Sequence, residues 1–85
     1  MSNKTFSWEG RCDDGSGVRK SQFYITVDGV VGDLQKEIQG MDFLAMDYST
    51  EPDEDDVFTT ATIVVLADKK EEFRHALLEK GFGEA

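Results

Sequence analysis

The chain has 85 residues, with 18 acidic and 9 basic side chains, one histidine and a formal net charge of −9. A chain of this size buries roughly two-thirds of its unfolded surface, enough for one modest core and not for a deep catalytic cleft as well, which excludes a large multi-part enzyme. The 39% hydrophobic content, with six phenylalanines, excludes wholesale disorder, and the acidic excess opposes direct contact with nucleic acid or anionic lipid.

In chain order, residues 5–12 alternate, placing Phe6, Trp8 and Cys12 on the inward face of a first strand. The turn formers Asp13-Asp14-Gly15-Ser16-Gly17 follow, and residues 21–27 alternate again with Phe23, Ile25 and Val27 inward, completing a hairpin. Asp28-Gly29 ends that strand. Val31, Leu34 and Ile38 then fall on the stripe of a short amphipathic helix that stops at Gly40. Residues 41–48 return to strand character, with Leu44, Met46 and Tyr48 alternating, and residues 49–56 read as a loop. The β-branched run 57–67 reads as the central strand, because residues 63–66 are apolar on both faces. Asp68 and Glu71 form a capping-box variant for a last helix that turns Phe73, Ala76 and Leu77 to the sheet, stops at Gly81 and folds Phe82 back.

These elements predict an α+β fold in a single domain over 1–85. The order is β-β-α-β-β-α, giving a four-stranded, mainly antiparallel sheet with two helices on one face. The longest apolar run, residues 63–67, is far shorter than the ~20 residues of a spanning helix, and the amino terminus lacks the apolar core of a signal peptide. The lone cysteine forms no intramolecular disulfide, so the expected setting is cytoplasmic, away from membranes.

The most unusual stretch is Glu51-Pro52-Asp53-Glu54-Asp55-Asp56. From Asp42 to Asp56 there are seven acids, including Asp42 and Asp47, and no base. Such a run either solubilises the strand after it or docks on an Arg/Lys cluster that would otherwise hold phosphates. Calcium is a poor fit, since an EF-hand register begun at Asp53 puts Phe58 at its glycine position and Val64 at its glutamate position. The glycines near residue 15 lead into a strand, unlike a phosphate-binding loop, and Arg19-Lys20 alone makes no nucleic-acid patch. Cys12 and His75 are the groups suited to nucleophilic or acid–base work, but they lack a third partner and fall short of a zinc site.

The expectation is therefore a non-catalytic, cofactor-free and metal-free acidic module. It would occlude a basic, nucleic-acid-binding surface of a partner protein through Asp42, Asp47, Glu51, Asp53, Glu54, Asp55, Asp56 and Tyr48. Tyr24 and one of Phe43 or Phe58 would complete an aromatic centre with an acidic rim. Phage anti-defence inhibitors of the anti-CRISPR type and nuclease immunity proteins share this size and charge, an analogy of composition. Two alternatives are a small regulatory domain that binds a metabolite or a divalent cation, and a subunit that extends a neighbour's sheet through an edge strand, the first.

Overall fold

In a computed structural model of the chain, the alternating segments at the amino end form the expected hairpin: β1 (Lys4–Cys12) pairs antiparallel with β2 (Lys20–Asp28). Residues 4–12, 15, 17–54 and 56–85 are described, Asp53 by its backbone alone. Helix α1 (Val31–Ile38) follows, then the antiparallel hairpin of β3 (Ala45–Asp53) and β4 (Asp56–Leu66). A 3-10 turn (Ala67–Lys69) leads into α2 (Lys70–Glu79), and β5 (Gly83–Glu84) closes the order. The strands lie β3-β4-β2-β1-β5.

The α+β class and the antiparallel hairpins follow the sequence reading, but the sheet is five-stranded and mixed. The added strand, β5, runs parallel to β1 with Thr5 opposite Gly83 and Phe6 opposite Glu84, and the Ala85 amide donates to the Phe6 carbonyl at 2.8 Å. A two-residue strand leaves no periodic signal. β4 is interior in the strand order, yet the middle strand of the five is β2, and Leu66 on the uncovered face is 38% exposed. The first strand is accordingly no free edge at its start, and the long open edge belongs to β3.

Both helices pack on one side of the sheet. Leu34 and Ile38 from α1 and Phe73 and Leu77 from α2 join Phe6, Phe23, Ile25, Val27, Ala61, Ile63 and Val65 in one buried cluster. Each of these side chains except Ala61 contributes about 1.5–3 kcal/mol by leaving water. Phe23 is the hinge of the aromatic packing, its ring 5.2 Å from that of Phe73 and 6.3 Å from that of Phe6.

The end of α2 forms as its residues suggest. Phe82 N–H donates to Leu77 O and Gly81 N–H to Leu78 O, a Schellman closure with Gly81 at φ +94° and Phe82 buried. Its start differs: the residue before the helix is Lys69, no side chain caps it, and the 3-10 turn takes the place of the Asp68 capping box. Lys4 ties three elements together, donating to Glu37 at 2.9 Å and to the Lys80 carbonyl at 2.6 Å with its ammonium 5.3 Å from the Phe82 ring centroid. A cation at a helix carboxyl end is favourably placed against the aligned peptide dipoles. Arg74 grips Glu84 through two hydrogen bonds, 2.8 and 2.7 Å, which fastens β5 to α2.

Candidate interaction face

With both helices on one side, the other side of the sheet is open, and the strand register says which residues it shows. Tyr24 stands between Ser7 and Thr62, with Asp47 next in the same row. The neighbouring row runs Thr5, Thr26, Thr60, Ser49, and beyond it Asp28 and Glu51 flank Phe58. Glu9 joins this face through the hydrogen bond that Ser7 Oγ donates to it at 3.1 Å. Among the described residues, Glu9, Asp28, Asp47, Glu51 and Asp56 are its carboxylates and Lys20 its cation. Tyr24, 39% exposed, and Asp47, Ser49, Glu51 and Thr62 line a shallow depression of about 380 Å³.

The acidic run is not the loop that its composition suggests. Residues 49–53 continue β3, and Asp53 pairs with Asp56 so that only Glu54 and Asp55 separate the two strands. Hydroxyl pairs explain how so charged a segment holds strand geometry. Thr50 and Thr59 approach to 3.0 Å and Ser49 and Thr60 to 3.3 Å across the ladder. Thr59 spends its proton on the Gly29 carbonyl at 2.8 Å, so Thr50 is the donor in the first pair. Pro52 is tolerated because β3 is an edge strand, and the charges and the proline together make that edge a poor template for unwanted pairing.

The predicted site residues do not all meet. Asp47, Glu51 and Asp56 share the open face, Asp56 at its hairpin end, while Glu54 belongs to the tip; the Asp53 side chain and Asp55 lie outside what is described. Asp42 stands apart, lining a concavity of about 200 Å³ with Lys69 and Glu72 beside α2. Tyr48 belongs to the helix-side row of β3, opposite Ala61, where helix cover has ended; it is 52% exposed and borders the depression from the edge. Of the two phenylalanines, Phe58 takes the open face, whereas Phe43 lies near Ile38, Met41 and Met46 on the α1 side.

One irregularity escaped the alternation pattern. The register slips between Trp8 and Gly10, so that Arg11 pairs with Ser21 on the helix side and Cys12 with Lys20 on the open face. Cys12 is thus not a core neighbour of Phe6, and the sheet separates it from the helix side, where α2 carries an exposed His75. Trp8 keeps the inward row, opposite Phe23, but is 44% exposed rather than core. Among the described residues no cluster of three or more His, Cys, Asp or Glu side chains is arranged to hold a metal; Asp13, Asp14 and Ser16 of the glycine-rich turn lie outside them. Among the described residues no helix is long and apolar enough to cross a membrane. No protein-family model, curated protein or solved structure matches the chain.

Proposed function

We propose that the chain is a non-catalytic binding module that uses its open sheet face and acidic hairpin to occupy a basic, nucleic-acid-binding surface on a partner protein. One observation carries the reading. The uncovered face sets Tyr24 and Phe58 among Glu9, Asp28, Asp47 and Glu51, with Lys20 as its cation among the described residues. An aromatic centre with a charged rim is the anatomy of a specific interface. Carboxylates satisfy the same Arg and Lys donors that phosphates do. Because Asp47 and Glu51 are held on one strand, about 13 Å apart at the rise of extended chain, little backbone order is lost on docking.

The test is affinity capture from lysate of the native cell with the wild-type chain, with Asp47→Asn/Glu51→Gln, and with Glu72→Gln/Glu79→Gln on α2. The reading expects a nucleic-acid-binding protein that is retained at low salt and released at high salt or by added DNA or RNA. It also expects capture to be weakened by the first variant and not by the second. Capture that is indifferent to the first variant, or a complex that nucleic acid leaves intact, overturns it.

A further inference from the structure

Although the chain is strongly acidic, three of its cations converge on one concavity at the opposite end of the sheet from the acidic hairpin. The hollow, about 170 Å³, is lined by Trp8, Arg11, Arg19, Ser21, Ala67 and Lys70. It lies on the helix side, where β1 ends, β2 begins and α2 starts.

Each cation arrives by a separate structural device. Strict alternation would put Arg11 on the open face; the bulge, with Gly10 at φ +112°, turns it to the helix side opposite Ser21. Bulges commonly re-aim a side chain in this way. Arg19 is held where its carbonyl accepts the Ala67 amide at 3.0 Å. Lys70, the first residue of α2, sets its ammonium 3.8 Å from the centroid of the Trp8 ring. Ion pairs among the described residues engage Lys4, Lys69 and Arg74, and none engages Arg11, Arg19 or Lys70.

Like charges gathered in this way repel one another, and a multiply charged oxyanion reverses that cost while filling the guanidinium forks. We propose that the hollow between Trp8, Arg11, Arg19 and Lys70 binds a phosphate-type dianion, as inorganic phosphate or as the terminal phosphoryl group of a small metabolite. Three cations exceed what one carboxylate neutralises. A volume well below the ~300 Å³ of a small-molecule pocket selects the phosphoryl group alone rather than a whole nucleotide. The site is separate from the acidic face and does not rest on that face's proposed role.

Trp8 is the single tryptophan, so its fluorescence reports on the site. Sodium phosphate titrated into the full chain at neutral pH and fixed ionic strength is expected to give a saturable change that sodium chloride and sodium acetate do not. Glycerol phosphate serves as the metabolite arm, and the tighter of the two phosphates identifies the source. Arg11→Gln/Arg19→Gln should weaken the response by about tenfold or more. Lys36→Gln/Lys80→Gln, which removes equal charge elsewhere, should leave it unchanged. A linear response shared with chloride, acetate binding as tight as phosphate, or equal weakening in both double variants would overturn the proposal. The wild-type titration decides the first two outcomes without any variant.

Discussion

Gly29 is the corner on which the hairpin, the first helix and the open face are joined, and Gly29→Ala is the substitution that probes it most sharply. Its φ is +108°, its N–H donates to Val57 O at 2.8 Å and its C=O accepts from Thr59 Oγ1 at 2.8 Å, so the backbone has no freedom to relax. An L-residue held in that region costs about 1–2 kcal/mol. An added Cβ would also strike the Asp33 carboxylate, which accepts the Val30 N–H at 3.0 Å at the start of α1. Val30 has no side-chain acceptor, so this contact is the side-chain half of the helix start, and losing it adds about 0.5–2 kcal/mol. The unfolded chain loses entropy when alanine replaces glycine, which returns about 0.4–1 kcal/mol. The net expectation is about 2 kcal/mol, or a fall in Tm of roughly 8–16 °C for a domain of this size. Gly32→Ala is the internal control: it lies within α1 with nothing within 4 Å of the new Cβ, and should stabilise by up to about 0.5–1 kcal/mol. Thermal and urea unfolding, followed by circular dichroism and by Trp8 fluorescence, measure both. A double-mutant cycle with Asp33→Ala should show coupling, because the carboxylate contact can be lost only once. A Gly29→Ala protein as stable as the wild type, or the absence of coupling to Asp33, would refute the geometry of this corner.

Other expectations follow from the same contacts. Leu77 is fully buried between α2 and the sheet, so Leu77→Ala should cost about 2–5 kcal/mol by urea denaturation, a large share of the margin of a small domain. The Arg74 guanidinium, through its hydrogen bonds and charge, holds the Glu84 carboxyl below its ordinary value, and Glu84 in turn raises Arg74. A depressed carboxylate contributes its stabilisation above the unfolded pKa and loses it as pH falls through the lower folded value. Exchange of the Ala85 amide should therefore quicken in acid, beyond its intrinsic chemistry, below the usual carboxylate range, and Glu84→Gln should abolish that pH dependence. Asp47→Asn/Glu51→Gln should leave the melting temperature nearly unchanged, because both side chains are exposed, and should slow partner association chiefly at low salt.

Legibility in the sequence followed the length and regularity of each signal. The β2 alternation, the Leu34 and Ile38 stripe and the Gly81-Phe82 stop are patterns of several residues that tertiary packing reinforces, and each forms where the sequence predicts it. The bulge at Glu9 and Gly10 could not be seen, because one extra residue leaves composition unchanged while it exchanges the faces of Arg11 and Cys12. The acidic run has the composition of a loop, and the Ser49–Thr60 and Thr50–Thr59 hydroxyl pairs that hold it as a strand are cross-strand features that depend on register. Register also separates Asp42 and Tyr48 from Asp47: Asp42 stands beside α2 and Tyr48 on the helix-side row. The basic hollow depends on residues far apart in the chain, and only folding brings them together.

In the proposed function the open face, rather than the helix side, meets a basic partner. Carbodiimide labelling of carboxylates, with and without the captured partner and read by mass spectrometry, tests it most directly. Docking through the open face protects Asp47 and Glu51 and leaves Glu72 and Glu79 on α2 labelled as in the free chain. Protection of Glu72 and Glu79 with Asp47 and Glu51 still reactive would contradict it.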